Sequence, residues 1–225
     1  MVSQSLKFSG YLEPEEVRAV VDAVPRVSKH PERDQLLLEL LWQSGVRVTE
    51  GITLTAGRIG ITSIVFQNLK QQESLKSDDG KVVRNGKGKP IKVKKLDATK
   101  EVEVSGSLCQ LLKDFCNRQK LGESDYVFRT SKGHLSRWYV WMITGKASES
   151  ANVYRFGKKN IRTGGRFKGA FPHIFRHSNA MHLLDQFGDI SIVKEQLGHA
   201  SISTTQIYAH PTKQKIQKVI SQVEW

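Results

Sequence analysis

Acidic residues are in short supply in this 225-residue chain: 22 Asp and Glu stand against 35 Lys and Arg, a formal net charge of +13. That balance favours a polyanionic partner. Cysteine is nearly absent. The two thiols, Cys109 and Cys116, stand seven residues apart in "LCQLLKDFC". They fall on one helix face and read as core residues rather than a disulfide or metal pair, which fits a reducing cytoplasm. No apolar run reaches the length of a membrane span, since Glu39 breaks "LLLELL", and the N-terminus has no signal-peptide pattern. A membrane partner is therefore not expected. Metal motifs are missing as well. His173 and His177 are four apart, but no Glu follows His173 as in a zinc-protease helix, no Cys lies near, and no carboxylates cluster. "SDDG" at 77–80 lacks the alternating acids of a calcium loop and reads as a turn. Neither a metal nor a cofactor is expected, and the chain has no internal repeat.

What is present is charge gathered in two glycine-punctuated segments. Residues 81–100, "KVVRNGKGKPIKVKKLDATK", carry eight basic residues and one acid, and residues 151–170, "ANVYRFGKKNIRTGGRFKGA", carry six and none. Clustering of this kind suits contacts to phosphates. The length suits a single compact body. Helical spacing appears in "LEPEEVRAVVDAV", which opens with Pro14 among acids, and in "PERDQLLLELLWQSG", which runs from Pro31 to a stop at Gly45. Arg47 follows that stop almost at once. "RIGITSIVFQNLK" and "KEVEVS" read as two strands, with a long Lys/Gly-rich excursion between them. Helices resume with "SLCQLLKDFCNRQ", "LSRWYVWMITGKA", "HIFRHSNAMHLLDQFG", "ISIVKEQLG" and a terminal "KQKIQKVISQV". Met181, Leu183 and Leu184 fall at core positions; His177 and His182 read as packing residues and His210 as surface. The fold class expected is α+β, mainly α, with a small antiparallel β-sheet.

Near the C-terminus, "ISIVKEQLGHASISTTQIYA" has a short helix, a glycine turn and a second short helix, which resembles a helix-turn-helix and would explain the charge through DNA binding alone. It leaves unexplained the spacing of four boxes, two of them within that stretch: "SGVRVTE" around Arg47, "HIFRH" with His173 and Arg176, "LGH" ending at His199, and "STTQIYAH" holding Tyr208. His199 follows Arg176 by 23 residues, and Tyr208 follows His199 by nine. In order and interval these boxes resemble the signatures of the tyrosine recombinases, the phage integrase family, and the resemblance extends over nearly the whole chain. It implies the helical catalytic domain of that family with its small sheet.

The chemistry of metal-free phosphodiester cleavage asks for the same set. Tyr208 is the candidate nucleophile, but a phenol with a pKa of about 10 needs a positive pocket or a proton acceptor. Arg47 and Arg176 supply planar forks for the non-bridging oxygens and for the charge of the pentavalent transition state. By resemblance His173 assists deprotonation of the tyrosine, while His199 donates to a non-bridging oxygen. The family also uses a lysine near a strand end to protonate the departing 5′ oxygen. Lys70, which closes "IVFQNLK", is preferred for its strand placement; Lys87, in the "NGKGK" context, is the rival.

The resemblance implies strand cleavage and rejoining through a 3′-phosphotyrosyl intermediate, with double-stranded DNA as partner. Lys87, Lys89, Lys92, Arg155, Lys158, Lys159, Arg162 and Arg166 are the expected DNA-binding residues. It further implies a homotetramer on two sites, docked through the C-terminal helix, in a prokaryotic cytoplasm at the nucleoid; a directionality factor is an open addition. The expected organisation is a single catalytic domain over 1–225, with a basic β-hairpin insertion at 71–100 and without the N-terminal DNA-clamping domain of most relatives. Two other classes remain open at this point: a type IB topoisomerase, which uses the same chemistry, and a non-enzymatic helix-turn-helix regulator.

Overall fold

The structure is a computed structural model that describes residues 11–68, 77, 81–90, 98–153 and 170–197, and the backbone alone at 72–74 and 92–94. The expected C-terminal helix lies outside the described residues. The chain divides into two compact units, 1–46 with 138–225, and 47–137.

In the first unit, α1 (Pro14–Ala23) starts as its sequence demands. Pro14 needs no hydrogen bond at the first helical position, Glu15 and Glu16 face the positive end of the helix dipole, and Glu16 reaches back to the Glu13 N–H at 2.8 Å. Val17, Val20 and Val21 form its buried stripe. Helix α2 (Pro31–Ser44) is buried on most sides through Leu36, Leu37, Leu38, Leu40 and Leu41. It stops at Gly45, whose φ of 60° lies in the left-handed region. Helices α5 (Arg137–Ser150), α6 (His173–Phe187) and α7 (Ile190–Leu197) follow among its described residues. Val193 and Leu197 of α7 pack on Ala180 of α6, with Leu183 and Leu184 at the margin. Met181 is buried as expected.

A buried ionic knot ties α2 to α5. Asp34, with no exposure, accepts hydrogen bonds from Ser28 Oγ at 2.5 Å, Arg33 Nε at 2.9 Å and Tyr139 Oη at 2.6 Å. The Arg33 guanidinium also sits over the Tyr139 ring, 5.3 Å from its centroid. Each of these three groups donates to the carboxylate, so its charge is compensated inside the fold.

In the second unit, a one-turn helix α3 (Val48–Ile52) leads through a 3₁₀ turn (Ala56–Arg58) into β1 (Ser63–Gln67), which pairs antiparallel with β4 (Thr99–Glu103), Ile64 opposite Val102 and Phe66 opposite Lys100. Between them, β2 (Gln72–Ser74) pairs antiparallel with β3 (Lys92–Lys94). Helix α4 (Gly106–Arg118) is capped by Ser105, whose Oγ accepts from the Leu108 N–H at 3.2 Å. It packs on β1 and buries Leu108, Cys109, Leu112, Phe115 and Cys116, neither thiol being in a disulfide. Ile64, Phe66 and Val102 are also buried. Each such side chain contributes about 1.5–3 kcal/mol. A two-residue pair, β5 (Arg129–Thr130) with β6 (Gly133–His134), follows.

The first strand is shorter than "RIGITSIVFQNLK" suggests. A tight turn intervenes, closed by the Gly60 N–H donating to the Ser63 carbonyl at 2.8 Å. A Cβ at position 60 would stand 2.7 Å from that oxygen, so only glycine allows the approach. Fold class is otherwise as expected: mainly α, with small antiparallel strand pairs.

Candidate active site

Arg47 is the N-cap of α3, with extended backbone at φ −72° and ψ 149°. Its N–H donates to Glu50 Oε2 at 2.9 Å, and its Nη1 donates to Glu50 Oε1 at 3.0 Å. Glu50 Oε2 also pairs with Lys100 Nζ of β4 at 3.2 Å. The Glu50 side chain is 1% exposed, that of Lys100 10% and that of Arg47 27%. Burial by itself would raise the Glu50 carboxyl, yet Lys100, the Arg47 N–H and the Arg47 guanidinium together hold it below the usual carboxylate range. The carboxylate therefore stays ionised and orients Arg47 from behind. Only one guanidinium N–H is spent on it, and among the described residues the rest of the fork has no partner. Sequence patterning did not single out Glu50 or Lys100. A signal did exist: Glu50 stands three residues after Arg47, the spacing at which a side chain reaches back to an N-cap.

His173 and Arg176 belong to the first unit, on α6, three residues apart and so on neighbouring positions of one helix face. His173 is the first residue of the helix and is exposed. Arg176 is 3% exposed; its Nη1 donates to the Gly45 carbonyl and its Nη2 to the Leu197 carbonyl at 3.0 Å. Both acceptors lie at helix C-terminal ends, those of α2 and α7, where a cation is favoured. Two further side chains cap the same end of α2: Asn179 Nδ2 and Gln196 Nε2 donate to the Gln43 carbonyl at 3.1 Å and 3.2 Å. Gly45 is required here, because a Cβ would come within 2.6 Å of Leu197 Cδ2 and 2.7 Å of Asn179 Oδ1. His177 meets the Tyr11 ring edge-on with centroids 6.1 Å apart, and burial lowers its pKa. His182 packs against Trp42, centroids 5.6 Å apart.

Arg47 with Glu50 and Lys100 thus forms one cluster in the second unit, and His173 with Arg176 forms another in the first. Lys87 and Lys89 are exposed at the end of the excursion between β2 and β3. Lys92 is placed by backbone alone. Lys70, Arg155, Lys158, Lys159, Arg162, Arg166, His199 and Tyr208 lie outside the described residues. Tyr139, by contrast, is unsuited to be a nucleophile: burial and its hydrogen bond to Asp34 raise its pKa and keep the phenol protonated. Among the described residues no group of three or more His, Cys, Asp or Glu is placed to hold a metal ion, and no helix is long and apolar enough to cross a membrane.

The profile of the phage integrase family matches residues 10–215. Tyrosine recombinase XerD of Staphylococcus epidermidis is 29% identical over 216 residues, covering 96% of this chain and 63% of that protein. Tyrosine recombinase XerA of Pyrococcus furiosus is 29% identical over 213 residues, covering 93% of this chain and 60% of that protein. The chain spans about three-fifths of the length of these curated relatives. Among solved structures, XerH site-specific recombinase bound to difH substrate superposes with a TM-score of 0.65 at 23% identity, over 97% of this chain and 55% of that one. The catalytic domain of bacteriophage HP1 integrase superposes with a TM-score of 0.54 at 19% identity, over 94% of each chain. The fold is shared with both.

Proposed function

This chain belongs to the phage integrase family, and from that premise we propose that it is a site-specific DNA recombinase that cuts and rejoins strands through a 3′-phosphotyrosyl intermediate. The observation that carries most weight is the support of Arg47: a buried, ionised Glu50, itself balanced by Lys100, holds the guanidinium while leaving most of its donors unspent. An arginine so braced is suited to take phosphate oxygens without first reorganising.

In this reading Tyr208 Oη attacks phosphorus and passes its proton towards His173. The bond from phosphorus to the 5′ oxygen breaks, and Lys70 delivers a proton to that oxygen. Arg47, Arg176 and His199 bind the non-bridging oxygens as their charge grows. One phosphodiester is exchanged for another, so rejoining by the 5′ hydroxyl of a second strand needs no external energy. Duplex DNA is the substrate, gripped by Lys87, Lys89, Lys92, Arg155, Lys158, Lys159, Arg162 and Arg166. Four protomers assemble on two sites, with apolar Ile216, Val219, Ile220 and Val223 of the tail packing on a neighbour. Residues 1–225 act as one catalytic domain, with 71–100 as its basic insertion.

The test is incubation with a nicked duplex carrying candidate sites, followed by a denaturing gel for covalent adducts. The parent chain is expected to form the adduct. Tyr208→Phe, which removes one oxygen and no charge, is expected to abolish it while leaving DNA affinity largely intact. An adduct that persists in the phenylalanine variant assigns the nucleophile elsewhere and overturns the mechanism.

A further inference from the structure

Ser178 is a poor residue for the middle of a helix on local grounds, because its hydroxyl competes for backbone hydrogen bonds. It lies within α6 and is completely buried. Its Oγ serves a partner outside the helix, accepting from the Leu12 N–H at 2.7 Å across 166 positions of sequence. Leu12 is itself 1% exposed and stands just ahead of Glu13, the N-cap of α1. A backbone N–H so far from water needs an acceptor inside the fold, and the serine hydroxyl supplies it. The ring of Tyr11 adds a second contact, meeting His177 edge-on. The residues that lead into α1 are thus clipped to α6 within one compact unit.

The position of the clip on the helix gives it a consequence. With 3.6 residues per turn, Ser178 points about 160° away from Arg176. Arg176 and Asn179 tie the other side of α6 to the C-terminal ends of α2 and α7, through the carbonyls of Gly45, Leu197 and Gln43. A helix held along one side is free to turn about it, and a tie on the opposite side removes that freedom. His173 stands on the same helix, one turn before His177. Whatever sets the rotation of α6 therefore aims both His173 and Arg176. We propose that Tyr11 and Leu12 form a positioning strap for the reaction: by holding the Leu12 N–H, the Ser178 hydroxyl fixes α6 in the rotation that presents His173 and Arg176 to the phosphate. The chemistry invoked rests on the recombinase reading. Ser178, being buried, acts through those two side chains and not on the substrate.

The test reads the helix and the reaction separately, on residues 1–225. In amide hydrogen exchange followed by mass spectrometry, at urea concentrations well below unfolding, Ser178→Ala is expected to speed exchange in α6 by about tenfold while α2 exchanges as in the parent. A rise shared equally by α2 and α6 is a general loss of stability and overturns the strap. Adduct formation on the nicked duplex is then followed in single turnover, at a temperature where both proteins are folded. The rate at saturating protein is expected to fall about ten- to a hundredfold with the half-saturating concentration unchanged, the mark of misaligned groups as opposed to weakened binding. Tyr11→Ala, which leaves the hydroxyl in place, should show the same pattern more weakly. Ser178→Thr keeps the hydroxyl and should recover most of the rate. An alanine variant that reacts at the parent's rate refutes the strap, as does a threonine variant that stays slow although its α6 exchanges like the parent's. A parent chain that forms no adduct, with the exchange difference intact, sinks the recombinase reading and leaves α6 strapped.

Discussion

Replacing Arg176 by alanine should damage the fold as well as the chemistry, and the size of the damage follows from its two hydrogen bonds. The guanidinium is 3% exposed and donates to the carbonyls of Gly45 and Leu197. Truncation strands both oxygens in a site from which water is largely excluded, at about 1–3 kcal/mol each. A loss of about 2–6 kcal/mol is therefore expected, and for a chain of this length its middle corresponds to a fall in Tm of roughly 10 °C. Arg176→Lys keeps the charge but has no second arm, so about half the loss should remain. All four tryptophans, Trp42, Trp138, Trp141 and Trp225, fall in the first unit together with Arg176. Tryptophan fluorescence in a urea titration therefore reports the unit that is perturbed, and an unchanged m-value would show that the transition measured is the same one. An alanine variant that melts within about 2 °C of the parent refutes the claim that this arginine caps α2 and α7. The consequence for catalysis is practical: a lost adduct in Arg176→Ala mixes two causes, whereas Arg176→Lys, assayed where the unit is fully folded, keeps the charge and reads the proposed phosphate contact apart from global unfolding.

Two further predictions concern the other cluster and the proton donor. Because the pKa of Glu50 in the folded chain lies below its ordinary 4.5, its ionised form stabilises the native state above that pH, and the contribution disappears as pH falls through the lowered value; Glu50→Gln should be less stable at neutrality and show a flatter acid limb in thermal melts from pH 7 to pH 3, and parallel curves for the two proteins would contradict this. If Lys70 protonates the 5′ oxygen, Lys70→Ala should be rescued by a 5′-bridging phosphorothioate, whose thiolate leaves without a proton, while Arg176→Lys should not; rescue of Lys87→Ala instead moves the acid into the basic excursion.

Much of the fold was legible because local chemistry and tertiary packing agree. Pro31 to Gly45 reads as a helix with a glycine stop, and Gly45 does take the left-handed conformation that glycine allows. The pressure on that residue is not local, however: Leu197 and Asn179, more than a hundred residues away in sequence, leave no room for a Cβ. The long strand expected from residue 58 begins only at Ser63 because Gly60 turns the chain, and a single glycine among β-formers carries a weak signal. Helix α3 and the β5–β6 pair, of five and two residues per element, are too short for any periodicity to show. Arg47, His173 and Arg176 were visible as chemistry. Their supports were not, since Lys100 meets Glu50 only when β4 is paired with β1, and the Arg176 acceptors are backbone carbonyls that no side-chain pattern reveals.

The two arginines differ in how their charge is supported, and that difference bears on what each can hold. Arg176 is fixed by carbonyl dipoles, which orient the guanidinium without cancelling its charge. Arg47 is fixed by a carboxylate, and a guanidinium paired one-to-one with a buried carboxylate would present almost no net charge to a phosphate. Lys100 alters that sum: with two cations on one carboxylate, the cluster retains a net charge of about +1. Glu50 can then supply a stiff bond for orientation while the cluster as a whole remains attractive to an anion. A phosphodiester carries one negative charge that approaches two in a pentavalent transition state, so an arginine whose support leaves a net charge of about +1 is suited to the charge that develops rather than to the charge of the ground state. In the proposed mechanism Lys100 acts on the phosphate site only through Glu50, its own side chain being 10% exposed and committed to an ion pair.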